Sequence, residues 1–473
     1  MTEPAAADPS DSTLNGPPRE PLNEPAPGPL SGPAPGLPGL LDELTWRGML
    51  QTTTPGLPDR LATGRTIAGY NGFDPSGPHL HIGHLVPIMG LLQLQRHGGR
   101  PVALVGGGTG MIGDPSGTSA ERNLLDRDTL AANVASIQRQ LERFLDFSGS
   151  AAAVLVNNLD WLGQIGLIDW LRDVGKHFTI PYMLAKDSVT TRLDRGLSFT
   201  EFSYMLIQAT DFEHLHRTMG VELQMGGADQ WGNITAGLEL IRRRAGGGDV
   251  VTDAGPRGGE PDAGGGHAHG LAYRLLLSPS GTKFGKTAGG ETIWLDAAKT
   301  SPYAFYQYWL NVDDRDVGTY LRWFTLLPRA TIVALETAAT DRPEAREAQR
   351  ALARDITERT HGPDAVAHAE RVSAAAFGGE PIRDPAVLAT LHHAVGGFTF
   401  TDADVAAGPL AIAIASGLFG SNGEARRAIT QRGLTIGDER VAGLDARVPP
   451  PVDGEWLVVR AGKRRLAVGR RHS

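Results

Sequence analysis

The sequence predicts an α/β protein whose largest unit is a Rossmann-like, doubly wound parallel sheet. Three observations carry that prediction. Short apolar runs of strand length occur at 66–70, 101–106, 153–157 and 221–225. Long helix-patterned stretches at 84–97, 129–147 and 199–219 separate them. Glycine-rich turns close the runs, as at Gly106-Gly107-Gly108. Strands joined by helices must run parallel, and ligands then bind outside the strands' carboxyl ends.

The chain has 473 residues, enough for two or three domains of about 100 to 200 residues each. Hydrophobic residues at 41% and charged residues at 21% suit a globular protein. No run approaches the roughly 18 apolar residues of a membrane helix, so no membrane partner is expected. Residues 1–39 are rich in Pro, Ala and Gly and carry Glu3, Asp8, Asp11, Glu20 and Glu24. A basic start and an apolar core are both missing there, so a disordered tail is expected rather than a secretory signal. The sequence has 0 cysteines, which excludes disulfides, thiolate metal sites and a cysteine nucleophile, and fits a cytoplasmic location.

Residues 40–300 are expected to form the sheet domain. Within it, 243–270 holds three Gly-rich clusters with His267 and His269 and reads as a surface insertion; that histidine pair is not expected to hold metal. Residues 301–400 read as an α-helical domain and linker. Their aromatics (Tyr303, Phe305, Tyr306, Tyr308, Trp309, Tyr320, Trp323, Phe324) are expected to form helical core rather than base-stacking platforms. Residues 404–473 form a small α+β unit. The formal charge of -8 argues against indiscriminate polyanion binding, yet Lys463, Arg464, Arg465, Arg470 and Arg471 follow Glu455 with no further acid. Local nucleic-acid contact is therefore expected at this end.

Candidate chemistry concentrates in four places. Gly72-Phe73-Asp74-Pro75-Ser76 leads to His81-Ile82-Gly83-His84 at a helix start, where backbone amides favour phosphate. Histidines at i and i+3 share a face, and Gly83 lacks a side chain that would hold a nucleotide away. Farther on, Lys283-Phe284-Gly285-Lys286-Thr287 lies in a Gly/Ser-rich loop, 281–290, whose two ammonium groups can swing onto phosphates. Third, Tyr204, Gln208 and Asp211 fall on one helix face; they line a pocket or make a solvated polar stripe. Last, Arg426 and Arg427 precede the turn at Gly433 and the basic tail.

The first two places together resemble the HIGH and KMSKS signatures of class I aminoacyl-tRNA synthetases. The third, with Gln224-Met225-Gly226-Gly227-Ala228-Asp229-Gln230-Trp231-Gly232-Asn233, is similar to the bacterial tyrosyl-tRNA synthetases, a resemblance running from Leu41-Asp42-Glu43-Leu44 through Asp313-Asp314-Arg315. It implies that tyrosine is activated with ATP, accompanied by Mg2+ as its counterion, and passed to tRNA(Tyr) by a homodimer holding no tight cofactor. It assigns the substrate phenol to Tyr70 and Asp211. The α-amino group goes to Tyr204, Gln208 and Asp114, and the carboxylate to Gln230. ATP goes to Gly72, Asp74, Ser76, His81, Gly83, His84 and Asp229, with Lys283, Lys286 and Thr287 on its pyrophosphate.

Residues 301–400 would then bind the anticodon. The carboxyl end resembles an S4-type fold, implying RNA contacts from Arg426, Arg427, Lys463, Arg464 and Arg465. Two departures stand out. Thr118 lies where the family carries lysine, leaving Arg122 as the candidate replacement, and the insertion exceeds the family's usual length. Two other readings remain at this point: a different HIGH-type nucleotidyl enzyme, such as the related tryptophan enzyme, and a noncatalytic RNA-binding protein. Tyr70 with Asp211 disfavours the first; the retained histidines and lysines disfavour the second.

Overall fold

The computed structural model describes residues 39–112, 125–190, 196, 198–245, 268–276, 284, 291–378, 380–462 and 465–472. Its central sheet contains β1 (Leu50–Thr53), β2 (Ala68–Phe73), β3 (Arg100–Val105), β4 (Val154–Asn157), β5 (Val221–Gly227) and β6 (His269–Tyr273) in the order β1-β6-β5-β2-β3-β4. β1 lies antiparallel on β6, and every other pairing is parallel. The chain steps outward from β2 to β3 and β4, then returns to the other side of β2 as β5. That reversal makes β2 and β5 the switch point, and Tyr70 stands opposite Gln224 across it.

The four predicted strands all form, and two more join them. β6 overturns part of the predicted insertion, because His269 and Gly270 are strand residues while Arg243 and Arg244 close the Trp231–Arg244 helix. Burial explains the error: β6 is buried throughout, a glycine-bearing strand between two partners. His269 is buried beside Thr54, 3.5 Å from its hydroxyl; His267 lies outside the described residues.

Both sheet faces are covered, which accounts for the nearly continuous apolar strands. Ala103, Val105, Leu223 and Met225 share one cluster with Ile88 and Met89 of the Leu85–Arg96 helix. A Cβ on Gly90 would lie 1.8 Å from the Tyr273 hydroxyl, so glycine there lets this helix reach the sheet. On the opposite face, Tyr70, Val102 and Leu104 pack with Phe212, Leu215 and Ile241. Phe212 belongs to the Phe199–Met219 helix, which starts in a reciprocal Ser198–Glu201 cap and stops at Gly220 with φ 65°.

Six α-helices follow among the described residues: Pro302–Leu310, Asp314–Phe324, Arg329–Asp341, Glu347–His361, Pro363–Phe377 and Pro385–Ala394. Trp309, Phe305, Phe324 and Leu352 are buried in the same cluster as the sheet residues Val105 and Met225, so this layer shares the sheet's core. Among the predicted aromatics only Tyr308 is half-buried rather than buried. The carboxyl-terminal sheet comprises β7 (Gly397–Phe400), β8 (Leu434–Ile436), β9 (Glu439–Arg440), β10 (Trp456–Ala461) and β11 (Arg465–Arg471), ordered β7-β11-β10-β8-β9. It begins with β7, ahead of the expected boundary at 404. Arg460 donates to the carbonyls of Ala375 and Ala376, and Trp456, Val458 and Val468 join the main core. Among the described residues, no helix is long and apolar enough to cross a membrane.

Candidate active site

At the switch point, Tyr70 is 2% exposed and its ring lies 5.5 Å from that of Phe212. Its hydroxyl meets no hydrogen-bond partner among the described residues, a costly condition for a buried polar group. Burial first, and the charge of Asp211 second, hold this phenol well above its ordinary pKa. Asp211 is itself buried, and burial pushes its carboxyl up to about 7 against two bonds that favour the charged form. Those bonds come from Asn158 Nδ2 at 2.9 Å and Trp161 Nε1 at 2.8 Å. Asn158 also donates to Thr109 Oγ1 at 2.9 Å and accepts from the Gly108 amide at 2.7 Å. The Trp161 indole stacks on His214 at 4.5 Å, which fixes its plane.

Tyr204 and Gln208 precede Asp211 on the same helix, as the spacing predicted. Tyr204 is buried. Gln208 joins Gln230 and Asn233 in an amide triangle: Asn233 Nδ2 donates at 3.0 Å to both glutamine carbonyls, and Gln208 Nε2 to Gln230 Oε1 at 3.4 Å. Asp229 sits in the Ala228–Gln230 turn that ends β5. A Cβ on Gly227 would lie 2.5 Å from its carboxylate, so glycine leaves room for that side chain. Asp114 lies outside the described residues.

Where β2 ends, a Cβ on Gly72 would meet nothing within 4 Å, so this strand edge faces open space. Asp74 is half-buried and Ser76 exposed, and Asn133 Nδ2 anchors the intervening Pro75 carbonyl at 3.0 Å. The two motif histidines meet with ring centroids 4.1 Å apart. Residues Ile82–His84 form a 3-10 turn rather than the first α-turn, with the Leu85–Arg96 helix following directly. The Gly83 amide donates to His81 Nδ1 at 3.0 Å, and the His81 amide to His84 Nδ1 at 3.1 Å. Each ring therefore accepts at Nδ1 and carries its donor hydrogen on Nε2 in the neutral form. Gly83 has a different role from the one expected: a Cβ there would strike the His81 ring at 2.7 Å, so glycine makes room for the histidine.

Lys283, Lys286 and Thr287 lie outside the described residues, but Phe284 between them is placed. Its ring stacks on Phe324 at 5.2 Å and 18°, with Tyr320 at 5.3 Å and Trp309 at 6.2 Å. Its amide donates to the Leu276 carbonyl at 3.1 Å. Beyond the loop the chain pairs with the histidine turn. The Ile82 amide donates to the Ile293 carbonyl at 3.0 Å, the Leu295 amide to the Leu80 carbonyl at 2.8 Å, and His81 stands opposite Trp294. The chain beyond the loop thus pairs with the turn that carries His81 and His84.

At the carboxyl end, Arg426 and Arg427 are exposed on the Asn422–Thr430 helix, and Arg465 opens β11 with its guanidinium 5.4 Å over Phe419. Lys463 and Arg464 lie outside the described residues. The tail arginines are less available than expected, since Arg470 pairs with Glu455 at 2.7 Å and Arg471 with Asp402 at 3.4 Å.

Sequence reasoning missed Asn158, Trp161 and Thr109, and quoted Asn233 in its motif without giving it a role. A signal existed for Asn158, which lies immediately after β4, at a strand carboxyl end where ligand-facing residues collect.

The family described as tRNA synthetases class I (W and Y) matches residues 62–378. A tyrosine–tRNA ligase of Anaeromyxobacter dehalogenans is 48% identical over 434 residues, covering 91% of this chain and 98% of the relative. The tyrosine–tRNA ligase of Geobacillus stearothermophilus is 44% identical over 433 residues, covering 90% and 98%. Among solved structures, a C-terminally truncated mitochondrial tyrosyl-tRNA synthetase of Coccidioides posadasii matches with TM-score 0.59 and 32% identity over 70% of this chain and 91% of that one. Its Aspergillus nidulans counterpart gives 0.60 and 29% over 70% and 92%.

Proposed function

The chain belongs to the tRNA synthetases class I (W and Y), and from that membership we propose how its residues divide the work of a tyrosine–tRNA ligase. The reaction joins tyrosine to tRNA. The observation that carries the assignment is the pair formed by the unpartnered Tyr70 hydroxyl and the buried Asp211 carboxyl. A substrate phenol between them accepts from Tyr70 and donates to Asp211, which satisfies both groups. Phenylalanine leaves the buried Tyr70 hydroxyl unpaired and brings Asp211 no donor beyond Asn158 and Trp161, so the same pair rejects it.

Activation uses ATP, with Mg2+ bound to its phosphates as part of the substrate. A tyrosine carboxylate oxygen forms a bond to the α-phosphorus as the bond from that phosphorus to the bridging oxygen breaks, releasing pyrophosphate. A hydroxyl of the terminal tRNA adenosine then attacks the tyrosyl carbonyl carbon, and AMP leaves. Neither step needs an enzyme nucleophile, so catalysis rests on alignment and charge stabilisation. Tyr204, Gln208 and Asp114 hold the α-amino group and Gln230 the carboxylate. Asp229 holds the ribose; Gly72, Asp74 and Ser76 border ATP. The Nε2–H groups of His81 and His84 donate to phosphate oxygens as their charge grows. Lys283, Lys286 and Thr287 follow the departing pyrophosphate.

The helical layer takes the anticodon, and Arg426, Arg427, Lys463, Arg464 and Arg465 grip the RNA backbone. A second copy of the chain covers an apolar face bearing Leu167, Ile168, Ile180 and Phe199, which are 70%, 73%, 58% and 76% exposed. Their helices are held by one cluster around Met183 and Met205, with Trp170 and Phe202 packed against it. The substrates and the absence of cysteine support a cytoplasmic location. The test is charging of a tRNA(Tyr) transcript by the purified protein, run beside its sedimentation. Tyrosine attached to the transcript by a dimer supports the reading; no ester formed with any amino acid sinks it.

A further inference from the structure

The ladder that joins the histidine turn to the chain beyond the 281–290 loop carries one more pair. With His81 opposite Trp294, the next side chains on that face are His79 and Asp296, again directly opposite each other. They meet: His79 Nδ1 lies 2.7 Å from Asp296 Oδ2. The other carboxylate oxygen accepts from the Ala298 amide at 2.9 Å. The Asp296 carbonyl accepts from the amides of Lys299 and Thr300, each at 3.0 Å, and Thr300 Oγ1 accepts from the Trp294 amide at 3.0 Å. The post-loop segment is thereby pinned to its own turn. Asp296 extends that rigidity across to His79.

The Trp294 ring links the pair to the site. It meets His79 edge-on at 5.9 Å and His81 edge-on at 6.1 Å, and the His81 ring lies 4.1 Å from that of His84. Asp296, His79, Trp294, His81 and His84 form one row of touching side chains. The pair is only partly exposed, at 19% and 28%, so it is stiffer than a surface ion pair. Arg143 and His361 are the other charged or titratable groups felt by Asp296, and neither occupies the row.

We propose that His79 and Asp296 are positioning residues for tyrosine activation: their bond sets the His81–His84 turn against the post-loop segment, so the phosphate donors and the loop keep one register. This rests on the phosphate role given above to His81 and His84. Neither residue reaches the tyrosine pocket, so the effect appears in the rate and in ATP use, not in tyrosine binding.

The test is pyrophosphate exchange by the full-length protein carrying His79→Ala, Asp296→Ala, both together, or His79→Asn, whose amide places a donor near the lost Nδ1. Loss of register is expected to lower the exchange kcat on the order of tenfold, with KM for tyrosine within about twofold. The double variant is expected to be no slower than the slower single one, because both remove one bond. His79→Asn is expected to regain most of the rate, which a merely structural loss would not show. An exchange kcat for His79→Ala within about twofold of the parent overturns the proposal, as do multiplying losses in the double variant. So does a His79→Asn protein as slow as the alanine variant. His81→Ala, run alongside, addresses the underlying reading separately: parent-level exchange there removes the phosphate role itself.

Discussion

The Asn158 amide and the Asp211 carboxylate meet at 2.9 Å in a fully buried bond, and the same asparagine ties Asp211 to the Gly106-Gly107-Gly108 turn through Thr109 and the Gly108 amide. Asn158→Ala would strand three buried partners at once. Each costs roughly 1–3 kcal/mol when left unpaired, so a loss of a few kcal/mol in urea denaturation is expected, together with weaker tyrosine binding. Unchanged tyrosine affinity would show that Asn158 does not orient the carboxylate.

Asp211 gives the pocket a pH dependence near neutrality. Its folded pKa of about 7 lies above the ordinary carboxylate range, so the folded protein holds this proton more tightly than the unfolded chain. The resulting contribution favours folding at acid pH and is lost as pH rises from the ordinary carboxylate range to about 7. A bound phenol donates to the ionised form, so tyrosine affinity runs the other way, rising with pH until about 7 and flattening above. Titration calorimetry between pH 5.5 and 8.5 checks this, with Asp211→Asn expected to abolish both slopes. A flat affinity profile in the parent contradicts it.

Phe284, between Lys283 and Lys286, is itself held by burial. Phe284→Ala empties a stack that includes Phe324, Tyr320 and Trp309, at a cost of about 3–5 kcal/mol of stability. Below the melting point, the exchange kcat should fall while KM for tyrosine holds, since Phe284 packs in a different cluster from Tyr70. Phe284→Leu should recover most of both. Equal rates in all three proteins would separate Phe284 from catalysis.

The carboxyl-terminal unit calls for point substitutions. Removing 404–473 would leave β7 without β11 and take Trp456, Val458 and Val468 out of the main core, so the deletion confounds folding with RNA binding. Arg426 and Arg427 are exposed and make a cleaner probe. Replacing both with alanine should raise KM for tRNA roughly tenfold and leave pyrophosphate exchange unchanged, because backbone phosphate contacts carry much of such affinity. Parallel loss of both activities would show that the arginines do more than hold RNA.

Much of this was legible beforehand because periodicity and turn chemistry are local. The Phe199–Met219 helix emerged at its predicted bounds since its cap pair, Ser198 and Glu201, and its stop, Gly220, are adjacent in sequence. Tyr204, Gln208 and Asp211 shared a face for the same reason. What escaped depended on contacts distant along the chain. Asn158 becomes informative only when β4 lies beside β3 and Asp211 folds over both; β6 looked like loop because its glycine and histidine are buried by Ile234, Trp231 and Thr54. Gly83 misled because its true neighbour, the His81 ring, turns back over it.

The central claim is that Tyr70 and Asp211 read the substrate phenol. Pyrophosphate exchange with tyrosine, phenylalanine and tryptophan, in the parent and in Tyr70→Phe, tests it most directly. The account predicts tyrosine-dependent exchange in the parent and no appreciable exchange with the other two. In Tyr70→Phe it predicts a tyrosine-over-phenylalanine preference reduced roughly tenfold, with apo stability equal or higher because an unpaired buried hydroxyl is gone. Parent exchange driven by tryptophan, or a preference unchanged in Tyr70→Phe, would contradict it.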